Sequence, residues 1–559
     1  MAIREFSPEG ARRAKIAFVG DMPEGEDLQR FRERKFLCES LSLEHIRQSK
    51  HATELDAVIW TQSADKPNSL PREIVEVVPW LLDHDVRVYI RVASNETLRD
   101  TPRQLVVNAL LQGAMPVTNL RQDEWLAIPE SRRERNNSFL SPSVYIFDTA
   151  STWVDIASLV CDQPADPSPK SGLIIDEDRL RDRCGVEDHE QRILLLRRSF
   201  WNCSELRLTL LDGGMSGAPV FKAYASLDAG LVPRGATGAA YPKLYFVKIG
   251  PRKKIIDEYD KYCGQIFEYV PFHLGPRLRR DRCNLASTLG ILVGDFVEGA
   301  ESLVACARGG RCGHAISNLF DRTLGGWRKQ ARPDTQRRLS DYFRDKWRAE
   351  GSNQLIALPP ARAELVRNLG GDTAVAPLKE MFEELGKSDA LVAPAHGDMH
   401  ATNVLVRHGD AILIDFEKLE EHYPLTYDPA SLEGGLLVEG FIEDIEQGRL
   451  KPDELVKLIE RLYEQSALKS CRTTLCRPGD AADWYYEAVN QIRMLSWPAE
   501  NQRGQYALTL ALSLIRKGCN AHVNLNSEAP NSLRAIAFFF GQRILRAMIS
   551  DGSAAPRGQ

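Results

Sequence analysis

Two carboxylates and a carboxamide fall within one short stretch of the chain. They are Asp398 and Asn403 in His396-Gly-Asp-Met-His-Ala-Thr-Asn403, and Asp415 in Ala411-Ile-Leu-Ile-Asp415-Phe-Glu417. Hard oxygen ligands of this kind can hold magnesium against nucleotide phosphates, and a further carboxylate can orient a hydroxyl and take its proton. Phosphoryl transfer needs both. Asn403 and Asp415 suit the metal, and Asp398 suits the hydroxyl.

The surrounding pattern supplies the elements that must position them. Val404 to Val406 reads as a short strand with Asp398 and Asn403 on the loop before it. Ala411 to Ile414 reads as a buried strand that presents Asp415 at its exit, and His408-Gly409-Asp410 closes a hairpin between the two. Asp398 and Asn403 are five residues apart, the separation found in a kinase catalytic loop.

This stretch resembles the catalytic core of the aminoglycoside phosphotransferase and choline kinase superfamily, relatives of the protein kinases. Their pattern is His-Gly-Asp-x-His-x-x-Asn followed by Ile-Asp-Phe or Ile-Asp-Trp. Met399 stands where leucine is frequent, Ala401-Thr402 replaces a usual proline-glycine pair, and Glu417 follows Asp415-Phe416 where protein kinases carry glycine. The last departure favours the small-molecule branch. The resemblance implies a bilobal protein-kinase-like phosphotransferase domain with a helical C-lobe. It spans about residues 204–440.

Upstream, Glu205 to Leu211 alternates polar and apolar residues as a strand does. Gly213, Gly214 and Gly217 follow, and glycines between two strands let backbone amides approach a phosphate chain. Lys243-Leu-Tyr-Phe-Val-Lys248-Ile ends an apolar strand in a lysine, which is costly to bury unless it pairs. The resemblance implies that Lys248 contacts the nucleotide phosphates and pairs with a helix glutamate. Glu258 and Glu268 lie ten and twenty residues beyond it, and Glu258 leaves room for a short loop and the first helical turns. Leu289 to Gly299 is similar to the strand and hinge that join the lobes, so backbone groups at Asp295, Phe296 and Val297 would meet the base.

Residues 300–390 and 433–550 read as mainly helical, with apolar residues at three- and four-residue intervals. Asp428, just before Pro429, suits a helix N-cap better than the brace that the resemblance assigns to it. His396 and His400 read as loop anchors rather than proton carriers. Cys306, Cys312 and His314 read as a glycine-rich loop with incidental cysteines, because their spacing is not the tight pairing of zinc sites.

Residues 14–160 form a separate α/β pattern. Lys15 to Gly20, Leu55 to Trp60, Val86 to Val92 and Val144 to Phe147 are short apolar runs, with helical patterns at residues 25–49 and 70–84. That alternation implies a parallel sheet covered by helices, of flavodoxin or receiver type. A phosphate-accepting receiver needs an aspartate at the end of its third strand. Here Leu55 to Trp60 leads into Thr61 and Gln62, Val86 to Val92 leads into Ala93 and Ser94, and Asp21 after the first strand is only one carboxylate. The domain therefore reads as a recognition or regulatory module. The fold class is therefore α/β plus α+β. Its parts are a receiver-like domain at 14–160, a linker with bridging helices at 161–203, an N-lobe at 204–299 and a helical C-lobe at 300–550, with the catalytic loop at 396–417.

Composition narrows the function. The chain has 559 residues, 72 Lys plus Arg against 77 Asp plus Glu, and no global basic surface for a dedicated nucleic-acid binder. No apolar run approaches the roughly 20 residues that cross a bilayer. Eleven cysteines without a CxxC pair fit reduced thiols in a cytoplasmic protein. The reading is an ATP- or GTP-dependent, Mg²⁺-assisted transfer of the γ-phosphoryl group to a hydroxyl of a small molecule. Gly213 to Gly217 and Lys248 would hold the phosphates, Asn403 and Asp415 the Mg²⁺, and Asp398 would act as base. The alternatives are a protein acceptor, AMP transfer, and a nucleotide-binding scaffold of a bacterial signalling or conflict system. A protein partner would bind through the N-terminal domain.

Overall fold

In the computed structural model, the described residues are the segments 15–33, 36–47, 57–62, 86–91, 144–147, 152–154, 172–177, 188–211, 218–228, 242–286, 289–349, 351–469, 479–520 and 527–554, with isolated positions between them. The chain divides into two compact units. One comprises residues 1–260 and 277–296, the other residues 261–276 and 297–559.

The first unit opens with β1 (Lys15–Val19), α1 (Gly25–Glu33), β2 (Leu37–Ser40), α2 (Leu43–Arg47), β3 (Ala57–Thr61), β4 (Arg87–Arg91) and β5 (Val144–Phe147). The five strands pair in parallel in the order β2-β1-β3-β4-β5. Both faces of β1 are buried, with Ile16 and Phe18 on one side and Ala17 and Val19 on the other. Such runs without alternation are what a parallel sheet covered on both faces requires. Strand β2 corrects the continuous helical reading of residues 25–49: Leu37 is exposed and the segment is an edge strand, so it carries no apolar period to read.

The same unit holds a six-stranded sheet in the order β10-β11-β9-β8-β7-β6. Its strands are β6 (Ile174–Ile175), β7 (Cys203–Leu210), β8 (Val220–Leu227), β9 (Lys243–Pro251), β10 (Asn284–Leu285) and β11 (Leu289–Asp295). One face buries Phe221, Ala223 and Ala225 of β8, Tyr245, Val247 and Ile249 of β9, and Ile291 and Val293 of β11, against Leu195, Leu196 and Phe200 at helix α3 (His189–Ser199). Leu173 and Leu180 join this core, and β6 pairs in parallel with β7. Within the segment read as a linker with bridging helices, a helix forms at α3 and packs on this sheet, and a short strand, β6, joins the sheet's edge. Period-two alternation sends Lys222, Phe246, Lys248 and Gly294 to the opposite face. Helix α4 (Arg252–Lys261) follows β9 directly.

The second unit is helical around two small sheets. Strands β12 (Glu301–Ser302), β15 (Val404–Arg407) and β16 (Asp410–Leu413) form one sheet, and β13 (Arg332–Arg338), β14 (Asp389–Ala395) and β17 (Glu420–Pro424) form the other. Strand β13 interrupts the stretch 300–390, which the sequence presents as mainly helical. It is an edge strand of mostly exposed charged residues, Arg-Pro-Asp-Thr-Gln-Arg-Arg, with no apolar face to betray it. Helices α5 (Leu303–Arg308) and α6 (Cys312–Asn318) carry the buried Cys306 and Cys312, which therefore stand on two helices and not in a loop. The larger helices are α7 (Tyr427–Gly440), α8 (Asp483–Ser496), α9 (Gln505–Cys519) and α10 (Glu528–Ala554). Among the described residues, no helix is long and apolar enough to cross a membrane.

Candidate active site

Strand β9 delivers Lys248 to the face of the six-stranded sheet opposite its core. The ammonium donates to the Glu258 carboxylate at 2.7 Å, and both side chains are largely buried, at 7% and 12% exposure. Glu258 lies in α4, whereas Glu268 belongs to the later turn Phe267–Tyr269. At the end of β11, Asp295 accepts a hydrogen bond from Arg279 at 2.7 Å. The amides of Asp295 and Phe296 donate to the carbonyls of Arg277 and Leu244, so these two backbone donors are engaged within the protein. Gly213, Gly214 and Gly217 lie outside the described residues.

In the second unit, the hairpin β15–β16 turns at His408 and Gly409, both at positive φ. Asp398 and Asn403 precede it, and Asp415 follows β16 with φ 62°, a left-handed conformation that a non-glycine residue rarely adopts. The Asn403 side-chain amide donates to the Asp398 carbonyl at 3.1 Å. This bond uses one of the two Nδ2 hydrogens and leaves Oδ1, which only accepts, as the oxygen of the side chain that could ligate a metal. The Asn403 carbonyl accepts from the Ile414 amide at 3.0 Å, which ties the Asn403 end of the loop to the residue before Asp415. A carboxamide oxygen and a carboxylate are hard donors of the kind Mg²⁺ takes, so the side-chain types of Asn403 and Asp415 suit that ion.

The loop that carries Asp398 is held from below. The amides of His396 and Gly397 donate to the two oxygens of Asp428 at 2.7 and 3.0 Å. Asp428 lies inside α7, whose N-cap is Thr426. The N-cap reading is therefore corrected: its carboxylate faces the loop and braces it. Burial raises the Asp428 pKa, against the charge of His396 and the two amide bonds. Gly397 takes φ 77°, and a Cβ there would come within 2.0 Å of the Lys418 carbonyl, so only glycine fits. His396 donates through Nε2 to the Ile414 carbonyl at 3.0 Å, an anchoring contact.

Sequence reasoning missed two residues here. Glu439, on the last turn of α7, accepts from the Thr402 amide at 3.2 Å and faces His400 Nδ1 at 3.2 Å. Burial opposes its charge, but the His400 hydrogen bond and the nearby positive charges of His400, Lys517 and Arg534 outweigh burial and lower its pKa. Lys517, on α9, is held below the usual lysine range by burial, against the pull of the Glu439 and Asp398 carboxylates. Both come to the loop from distant helices, and no local spacing announces either.

A family model described as ternary complex associated domain 9 matches residues 352–517. No curated protein matches the chain. Among solved structures, an amicoumacin kinase bound to a nucleotide analogue is 12% identical, with a TM-score of 0.32 over 61% of this chain and 88% of its own. An ethanolamine kinase of Plasmodium vivax is 13% identical, with a TM-score of 0.30 over 61% of this chain and 83% of its own. A thermostable mutant of an aminoglycoside phosphotransferase is 12% identical, with a TM-score of 0.33 over 69% and 99%. Likeness at this level decides nothing about the chemistry of this chain.

Proposed function

We propose that the protein is a nucleotide-dependent phosphotransferase that moves the γ-phosphoryl group of ATP or GTP, with Mg²⁺, to a hydroxyl of a small molecule. The observation that carries this reading is the buried Lys248–Glu258 pair. A lysine is costly to bury on a sheet face, and a helix glutamate ten residues on that orients its ammonium is the arrangement phosphate binding uses. In this reading Lys248 holds phosphates, Asn403 and Asp415 hold the metal, and Asp398 orients the acceptor hydroxyl and takes its proton. The braces from Asp428 and Glu439 support it, because a base must be held in place to act.

The parallel order of the N-terminal sheet is that of flavodoxin-type folds, and it supports a receiver-like domain with a recognising or regulating role. The name of the family that matches residues 352–517 supports work within a complex; a protein partner at the N-terminal domain is a separate part of this proposal.

The test is transfer of label from nucleotide labelled separately at the γ- and α-phosphates, with Mg²⁺ and cell extract. Label from the γ-position on a metabolite supports the reading. Label from the α-position alone means nucleotidyl transfer, and binding without transfer means a scaffold.

A further inference from the structure

Across β8, β9 and β11, the residues Lys222, Phe246 and Gly294 stand in one register row, next to the row of Val220, Lys248 and Leu292. Two residues of strand span about 7 Å, so the Lys222 row lies that far from Lys248, toward Asp295. A Cβ at Gly294 would approach the Phe246 ring to 2.2 Å. Glycine therefore lets that ring lie over β11. The Lys222 ammonium sits 4.7 Å from the centroid of the Phe296 ring and 5.0 Å from that of Tyr224. Among the described residues its contacts are these two rings, with no carboxylate or other acceptor bonded to it.

A lysine ammonium only donates hydrogen bonds, and it has three to give. Two aromatic faces stabilise its charge without using those donors. The amides of Asp295 and Phe296 are spent on Arg277 and Leu244, which makes Lys222 a polar group with free donors on this side of the sheet. A purine with a 6-oxo group offers O6 and N7 as adjacent acceptors, whereas adenine places an amino donor beside N7. A lysine bonds the first edge and opposes half of the second.

We propose that Lys222 is a specificity residue that makes this face select a guanine-type, 6-oxopurine nucleotide over an adenine nucleotide. The proposal rests on the nucleotide-binding reading of the Lys248 face. The test uses the full chain with Mg²⁺, titrated calorimetrically with the non-hydrolysable analogues GMP-PNP and AMP-PNP. Wild type, Lys222→Met, Lys222→Arg and Lys248→Met are compared, with circular dichroism confirming that each is folded.

Wild type is expected to bind the guanine analogue about tenfold more tightly. Lys222→Met should lose that preference and Lys222→Arg should keep it, while Lys248→Met should weaken both nucleotides alike. Equal binding, tighter binding of AMP-PNP, or a preference that survives in Lys222→Met would overturn the assignment and leave the phosphotransferase reading standing. Should wild type bind neither analogue, both readings fall together.

Discussion

His396 and Asp428, far apart in the chain, are joined by a 2.7 Å hydrogen bond from a buried backbone amide to a buried carboxylate. The second oxygen of Asp428 takes the amide of Gly397, so one side chain satisfies two buried donors at the base of the loop that carries Asp398. Removing the acceptor leaves both donors without it.

Asp428→Ala is expected to cost about 3 kcal/mol in denaturant unfolding, the scale of two buried donors left unsatisfied. Asp428→Asn, which keeps one acceptor oxygen, should lose less. Equal stability of Asp428→Ala and wild type would show that the brace contributes nothing.

Glu439 gives a pH signature. Its carboxyl is held below the ordinary value of 4.5, with burial opposing and the His400 hydrogen bond and neighbouring cations prevailing. An acid with a depressed folded pKa binds fewer protons folded than unfolded. Its contribution is therefore present above 4.5 and lost as pH falls through the lower folded value. Unfolding of wild type and Glu439→Gln should differ most near neutrality and converge as pH drops below the ordinary glutamate range. A gap that stays constant with pH would contradict this.

Arg493 and Glu433 form the most deeply buried ion pair described, at 3% and 0% exposure, with Nη2 and Nε bonded to the two carboxylate oxygens at 2.6 and 3.0 Å. Arg493→Met leaves the buried Glu433 carboxylate with the Tyr506 hydroxyl as donor but without its counter-charge, and should destabilise the chain by about 3–5 kcal/mol. The double variant Arg493→Met with Glu433→Gln should recover much of that loss. A double variant as unstable as the sum of the two single changes would argue against coupling.

How much was readable in sequence depended on whether the signal was local. The hairpin from Val404 to Leu413 could be read because apolar strands flank a turn at His408-Gly409, and the strand ending near Lys248 because its apolar run is unbroken. Strand β2 at Leu37–Ser40 and strand β13 at Arg332–Arg338 escaped, since edge strands facing water need no buried face and show no period. Asp428 was visible, yet its neighbouring proline pointed to a cap; only the fold turns its carboxylate toward His396. Glu439 and Lys517 had no signal, because helices far along the chain bring them to the loop.

The most direct test of the central claim is label transfer from γ-labelled nucleotide by wild type and Asp398→Asn, side by side in Mg²⁺ with the same acceptor extract. If Asp398 takes the acceptor proton, turnover should fall by about 10² to 10⁴ while nucleotide affinity is largely kept. Full turnover by Asp398→Asn would contradict the account.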